Sequence, residues 1–117
     1  MSGAPPRTDE QREQALARAR EARRERANLR AALRDRSLHP VEVILGSDTR
    51  PLWAGLRVTW LLECVPGIGP VRAGRMMDEL AIAPSRHVRG LGERQRAALI
   101  AHLGGAPATH ARPDGTS

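Results

Sequence analysis

The apolar residues of this chain are spaced for helices, and most of them lie in its second half. Residues 8–36 contain neither glycine nor proline and are dominated by Ala, Arg and Glu, which predicts one long helix. Thr8 and Gln11 have the spacing of a capping box at its start. Its apolar face is mostly alanine, and only Leu29 and Leu33 add bulk. We therefore expect the C-terminal part to dock on a core and the N-terminal part to project into solvent.

Shorter helical patterns follow in residues 37–104. We expect a helix capped by Ser37 that ends at Gly46, a loop at residues 47–51, and helices at residues 58–64, 70–80 and 93–103. The residues predicted to face the core are Leu52, Trp53, Leu56, Trp60, Leu61, Val65, Val71, Met76, Met77, Leu80, Ala97, Ile100 and Leu103. His39 is expected at the surface, and Gly104 ends the last helix.

A glycine hairpin separates two of these helices. Its sequence is Val65-Pro66-Gly67-Ile68-Gly69, and glycine lets a backbone approach a ligand closely because it carries no Cβ. Pro70 suits the first position of the next helix. The free N–H groups and the positive dipole end of that helix can bind an anion.

A second loop with two glycines follows at residues 84–92. We expect two turns there, with Val88 and Leu91 directed inward and Arg86 and Arg89 outward. Together with Arg72, Arg75 and Ser85, these arginines form a candidate set of phosphate contacts. The alternative is a tight helix–helix turn with an ordinary basic surface.

Composition and charge limit the fold class and the kind of partner that the chain can have. The 117 residues predict one domain with disordered ends at residues 1–7 and 105–117, and the lack of Phe and Tyr favours an all-α core. Nineteen arginines, no lysine and a net charge of +6 favour an acidic polymer as partner. With only two aromatic residues, duplex phosphates are a better fit than stacked single-stranded bases.

Two interpretations of the long helix stay open. Residues 7–36 hold ten arginines against six acids. They can form a solvated helix with ion pairs such as Glu21 with Arg24, or a basic surface that faces DNA.

Enzyme, metal and membrane signatures do not fit the chain. The four histidines are scattered, no nucleophile or dinucleotide motif occurs, and Cys64 is the single cysteine, expected to be a buried apolar residue. We therefore predict a protein without catalytic activity, cofactor or metal. No apolar run is long enough for a membrane span, so a cytoplasmic protein is expected.

Three motifs together resemble a known family. They are LLExVPGIG at residues 61–69, VRA at residues 71–73 and SRxVRGLG at residues 85–92. They are similar to those of the actinobacterial integration host factor, the mycobacterial and streptomycete type, and the resemblance extends over residues 8–103.

The resemblance implies an all-α fold, in which a long N-terminal helix precedes a compact helix–two-turns–helix domain similar to ribosomal protein S13 at residues 37–104. It implies a nucleoid-associated protein that binds double-stranded DNA with little sequence preference and affects its topology and compaction. We expect a monomer, and two contact surfaces on one protomer allow it to bend one duplex or bridge two.

The resemblance also implies two sets of DNA contacts. The hairpin set is Val65, Pro66, Gly67, Ile68, Gly69, Val71 and Arg72. The second-loop set is Ser85, Arg86, Val88, Arg89, Gly90, Leu91 and Gly92. Additional phosphate contacts are expected from Arg57, Arg75 and His87.

The chain departs from the family pattern at two positions. Pro70 stands where the family commonly has lysine, which removes a cation and a backbone donor, and His87 stands where a second arginine is usual. Two alternative functions remain: an RNA-binding module of the ribosomal-protein type, and an interaction subunit of a recombination or repair complex.

Overall fold

The computed structural model describes residues 8–104, and the ends predicted to be disordered, residues 1–7 and 105–117, lie outside this range. Within it the chain forms helices and no strand. The helices are α1 (Asp9–Arg34), α2 (Pro40–Gly46), α3 (Pro51–Ala54), α4 (Val58–Glu63), α5 (Pro70–Glu79) and α6 (Glu93–His102), with a 3₁₀ turn at Val88–Gly90.

The first helix is built as its sequence predicts. The Thr8 hydroxyl accepts from the Gln11 N–H at 3.0 Å, and the Gln11 side chain accepts from the Thr8 N–H at 3.0 Å, so the capping box is confirmed. Leu29 and Leu33 are buried, whereas Leu16 is 56% exposed. The C-terminal turns of α1 therefore pack on the other helices and its N-terminal turns project from them.

The core lies between the end of α1 and the shorter helices. Its members include Leu33, Ile44, Leu61, Leu62, Met77 and Leu99, all almost completely buried. Cys64 is also buried, at 2% exposure, as predicted. Burial of these side chains is the main stabilising contribution available to a chain with so few aromatic residues.

Two residues predicted to face the core do not. Val71 is 74% exposed, because α5 turns Ala73, Met76 and Met77 inward and a position two residues before Ala73 points the opposite way. Ala97 is likewise exposed, and Leu99, two residues later, takes the buried place. In each helix a single position was misassigned, and the buried residue lies two positions later, about half a helical turn around the axis.

The start of α2 also differs from the prediction. The N-cap is His39 and not Ser37: His39 Nδ1 accepts from the Val41 N–H at 3.1 Å, and the Glu42 carboxylate accepts from the His39 N–H at 3.2 Å. His39 is accordingly half-buried rather than a surface residue. Ser37 instead completes the end of α1, where its N–H donates to Asp35 Oδ1 at 2.8 Å.

The segment predicted as a loop at residues 47–51 ends earlier, because Pro51 begins the short helix α3. Proline favours the first position of a helix. The Trp53 ring of α3 packs on Gly46, where an added Cβ would lie 2.6 Å from a ring carbon. Further along, Arg96 of α6 donates to the Ile44 carbonyl of α2 at 3.1 Å and forms an ion pair at 3.2 Å with Asp48, which lies just after α2.

Candidate nucleic-acid interface

The hairpin between α4 and α5 exposes its glycine backbone. The turn is closed by a hydrogen bond from the Ile68 N–H to the Val65 carbonyl at 3.1 Å. Gly67 has a φ of +88°, a left-handed conformation that favours glycine. Gly69 has a φ of −92° and needs no glycine for its conformation, and a Cβ added there would meet nothing within 4 Å. The space beside Gly69 is therefore open to a ligand.

The start of α5 presents hydrogen-bond donors beside this hairpin. Gly69 is the N-cap and Pro70 the first helical residue, and no side chain caps this helix end. The first intrahelical bond runs from the Ala73 N–H to the Gly69 carbonyl at 2.9 Å. The N–H groups of Val71 and Arg72 come before this bond, so they have no acceptor within the helix. They lie at the positive end of the helix dipole. This end can accept an anionic oxygen.

Arg72 folds over the hairpin. Its Nη1 donates to the Gly67 carbonyl at 3.4 Å, so the guanidinium lies beside the exposed backbone. Arg75 is exposed one turn further along α5, on the same side of the helix because the two positions are three residues apart. The hairpin and the first turns of α5 thus combine backbone donors with two cations.

The second loop, residues 85–92, is compact and also exposes its arginines. Val88 is buried, Leu91 is half-buried, and Arg86 and Arg89 are exposed, as predicted. Arg86 Nη1 donates to the Gly90 carbonyl at 3.0 Å, and its side chain runs so close to Gly90 that an added Cβ would lie 3.1 Å from Arg86 Cδ. The loop therefore holds one of its arginines in a defined position.

Gln95 of α6 connects the C-terminal end of the second loop to the chain just after α5. Its side-chain oxygen accepts from the Gly92 N–H at 2.9 Å, and its Nε2 donates to the Ala81 carbonyl at 2.8 Å. Ala81 follows the C-cap residue of α5 and has a φ of 56°. Sequence reasoning missed Gln95, although its place three residues after the N-cap Gly92 is the position from which a side chain reaches back.

Arg57 joins the second loop through the backbone. Arg57 and His87 form an isolated antiparallel bridge, with Arg57 exposed and His87 half-buried. The guanidinium of Arg89 lies near the same segment, 3.2 Å from a Cβ added at Gly55. The sequence suggested Arg57 and His87 as phosphate contacts, but no local pattern predicted that they are neighbours.

The end of α1 borders the hairpin on its other side. Arg30, Arg34, Trp60 and Glu63 line a groove with residues 64–70, and its volume is about 450 Å³. The Arg30 guanidinium carbon lies 5.3 Å from the centre of the Trp60 ring. Burial raises the pKa of the Cys64 thiol beneath this groove, and the positive charges of Arg30 and Arg34 oppose that rise.

Neither a cluster of metal ligands nor a helix able to cross a membrane occurs among the described residues. Within residues 8–104, no three His, Cys, Asp or Glu side chains are placed to hold a metal ion together. None of the helices in that range is long and apolar enough to cross a membrane. What the surface presents is exposed guanidinium groups and backbone donors around two tight loops.

Comparisons with known proteins agree with this architecture. Residues 33–103 match the model of the S13-like H2TH domain, and this confirms the predicted all-α helix–two-turns–helix fold. A solved structure described as sIHF bound to an 8-bp palindromic DNA superposes with a TM-score of 0.72 at 40% identity, and covers 75% of this chain and 99% of its own.

Three curated relatives extend the match to most of the chain. The integration host factor of Mycobacterium tuberculosis is 42% identical over 102 residues, which are 87% of this chain and 97% of the relative. That of Mycolicibacterium smegmatis is 44% identical over 82% of this chain and 91% of the relative. That of Streptomyces coelicolor is 43% identical over 86% and 94%. With its S13-like H2TH domain and these relatives, the chain belongs to the actinobacterial integration host factor family.

Proposed function

We propose that this protein is a non-catalytic, nucleoid-associated protein that binds double-stranded DNA with little sequence preference. The observation that carries the proposal is the pair of exposed loops, the hairpin and the second loop, each with an arginine hydrogen-bonded to its own backbone. Support comes from the similar structure that was solved with DNA. Contacts of this kind hold phosphates and position a protein without reading bases.

At the hairpin, the proposed contacts are mostly backbone groups. The N–H groups at the start of α5 face a surface that a phosphate can approach closely, because Gly67 and Gly69 present no side chain there. Arg72 adds a cation on the same side, and Arg75 adds a second one a turn further along α5. Pro70 carries neither charge nor N–H donor, so Arg72 supplies the nearest positive charge.

At the second loop, the proposed contacts are side chains. Arg86 and Arg89 are exposed on a loop whose C-terminal end is hydrogen-bonded to Gln95, and the same side chain binds Ala81 just after α5. The Arg57–His87 bridge brings a third arginine and an imidazole to the same surface. Such a group of cations neutralises neighbouring phosphates, and the release of counterions drives the binding.

The proposed location and the proposed effects on DNA follow from this binding. The proposal puts the protein on the bacterial nucleoid, in the cytoplasm, where it affects the topology and compaction of DNA as a monomer. That one protomer holds two duplexes stays a prediction. It is tested by mixing duplexes that carry a donor and an acceptor fluorophore with the protein, since energy transfer at one protein per duplex pair requires bridging.

The experiment that separates the proposed function from an RNA-binding one is a competition. A labelled duplex of arbitrary sequence is bound to the full chain, and unlabelled duplex DNA or structured RNA is added over a series of salt concentrations. We expect DNA to displace the label at lower concentration than RNA, and log K to fall linearly with log salt. Stronger displacement by RNA would support the RNA-binding alternative, and a slope near zero would contradict both.

A further inference from the structure

We propose that a pocket between the end of α1, the hairpin and the end of α6 binds an aliphatic anion, a molecule with an apolar chain and a carboxylate or phosphate head group. The pocket lies between residues 33–40, the hairpin, α5 and residues 102–103, and its volume is about 410 Å³. Small-molecule sites typically have volumes of about 300–1,000 Å³. The proposed DNA contacts use exposed loops and do not account for a concave site beside them.

Most of the pocket surface is aliphatic. Eight of its twelve lining residues are apolar, and none of the twelve, all within residues 8–104, is aromatic. Leu33 and Met76 are buried, and Leu38, Ile68 and Leu103 are half-buried, so an apolar ligand can gain by covering them. A nucleobase would gain most by stacking on aromatic side chains. The lining therefore favours an aliphatic chain as ligand.

The polar part of the lining attracts anions. It consists of Arg36, Arg72, His39 and His102, and the described lining includes no carboxylate. Within residues 8–104, no carboxylate oxygen lies within 4.0 Å of a guanidinium nitrogen of Arg36 or Arg72. The two guanidinium groups can therefore form charge-assisted hydrogen bonds with a carboxylate or phosphate.

His39 adds a neutral hydrogen-bond donor to this set. Its Nδ1 accepts from the Val41 N–H at 3.1 Å, so the neutral imidazole carries its proton on Nε2. The Nε2 atom lies 4.0 Å from a Cβ added at Gly104, just after α6. Its N–H is therefore on the side of the pocket where α6 ends, and an anionic oxygen there can accept it.

The backbone at Arg36 supports a role for its side chain. Arg36 has a φ of 67° and is the second residue after the end of α1, a position where glycine usually provides the left-handed conformation. Arginine is strained there. What arginine adds over glycine is a cation at the edge of the pocket.

Arg72 connects the pocket with the proposed DNA contacts. It lines the pocket, and its Nη1 also donates to the Gly67 carbonyl of the hairpin. A head group paired with Arg72 withdraws this cation from a duplex. This step rests on the proposed function: the aliphatic anion should lower the affinity for DNA, and DNA should lower the affinity for the anion by the same factor.

The first test uses the full chain without DNA. Calorimetric titrations with decanoate and decyl phosphate, below their micellar concentrations, should each show saturable binding of one molecule, and the tighter of the two identifies the head group. Shorter carboxylates should bind about fourfold more weakly for each buried methylene removed. Acetate and decyltrimethylammonium should show no saturable binding. Equal binding of the decyl cation would overturn the proposal.

Methyl NMR spectra locate the bound decanoate. The signals of Leu38, Met76 and Leu103 should shift, whereas Leu16 and Leu45, which are exposed outside the pocket, should not. Shifts of equal size at Leu16 and Leu45 would mean adsorption on exposed apolar side chains and would overturn the proposal.

Two variants with equal charge test the head-group contact. Arg36→Gly should keep or raise the melting temperature, because glycine suits the left-handed backbone, and should bind decanoate about tenfold more weakly. Arg18→Gln removes the same charge far from the pocket and should bind decanoate normally. Normal decanoate binding by Arg36→Gly would contradict the assigned site.

The coupling to DNA is measured last. Saturating decanoate, compared with acetate at the same concentration, should lower the salt slope of duplex binding by about one unit, and should leave the slope of Arg72→Gln unchanged. A duplex affinity that decanoate does not alter would overturn the coupling. If the unmodified protein showed no salt-dependent duplex binding, the proposed function would fail, while the titrations without DNA would still decide on the pocket.

Discussion

Arg57 and His87 are thirty positions apart in the sequence and face each other across an isolated antiparallel bridge. The Val58 N–H donates to the Arg86 carbonyl at 3.0 Å, and the Val88 N–H donates to the Leu56 carbonyl at 2.8 Å. These two bonds attach the start of α4 to the second loop. They bring the exposed Arg57 to the same surface as the loop arginines, and this makes it a phosphate contact in the proposed function.

A charge-removing change at Arg57 tests this placement. We expect Arg57→Gln to weaken duplex binding and to lower the salt slope by about one unit, because one phosphate contact is lost. The free energy of unfolding in urea should change little, since the side chain is exposed and makes no capping hydrogen bond. Arg18→Gln removes the same charge far from the loops and serves as the control. An equal effect of both changes would contradict the placement.

Substitution of alanine should have opposite effects on stability at the two hairpin glycines. Gly67→Ala should destabilise the protein by about 1–2 kcal/mol, because the left-handed conformation at this position is strained for alanine. Gly69→Ala should leave the stability unchanged or raise it by up to about 1 kcal/mol, because its conformation suits alanine and the added Cβ meets open space.

The duplex affinity of Gly69→Ala tests whether the hairpin backbone contacts DNA. If a phosphate approaches the backbone at Gly69, the methyl group of Gly69→Ala should lower duplex affinity about tenfold, or about 1.4 kcal/mol, in a protein that is fully folded. Urea unfolding and duplex titration of the same samples check both parts. Unchanged affinity in Gly69→Ala would mean that the hairpin backbone does not touch DNA.

The sequence predicted the elements that depend on local spacing. The capping box at Thr8, the burial of Leu29, Leu33 and Cys64, and the exposure of Arg86 and Arg89 follow from periodicity and residue type, and the structure has them. The existence of the longer helices was predictable for the same reason, since each helix satisfies its own backbone, but the short helix α3 was not predicted.

The predictions were wrong where two nearby residues could, by residue type, take the same structural role. Ser37 is a better N-cap by type than His39, but its hydroxyl donates to the Ala32 carbonyl of α1 at 3.4 Å, and α2 begins only at Pro40. The apolar face of α5 was ambiguous in a short helix that begins with proline, and tertiary packing selected Ala73 over Val71. Contacts between distant segments, such as Arg57 with His87 or Gln95 with Ala81, leave no local signal.

Gln95 should act as a positioning residue for the second loop. Gln95→Ala removes the hydrogen bonds to Gly92 and Ala81, at about 0.5–1.5 kcal/mol of unfolding free energy each. We expect duplex affinity to fall as well, because Arg86 and Arg89 lose their support. Gln95→Glu keeps the acceptor for the Gly92 N–H and should show a smaller loss of stability. A normal affinity in Gln95→Ala would show that loop position does not control binding.

The buried thiol of Cys64 should make the stability of the protein depend on pH in the alkaline range. Burial raises the pKa of its thiol above the ordinary value of 9.0, so the unfolded chain loses this proton at lower pH than the folded protein. The free energy of unfolding contributed by this group should therefore be constant below about pH 8 and fall as the pH rises past 9 toward the folded pKa. The difference in urea unfolding between the unmodified protein and Cys64→Ala, measured from pH 7 to 10, reports it. A difference that grows with pH would contradict the burial of a neutral thiol.

The central claim is that the hairpin and the second loop hold DNA phosphates without reading bases. The most direct measurement is the salt dependence of affinity for several unrelated duplexes, compared between the unmodified protein and Arg72→Gln/Arg86→Gln/Arg89→Gln. We predict that the substitutions lower the salt slope by about 2–3 units and reduce affinity by a similar factor for every duplex sequence. A loss confined to some sequences, or a slope that the three substitutions leave unchanged, would contradict the account.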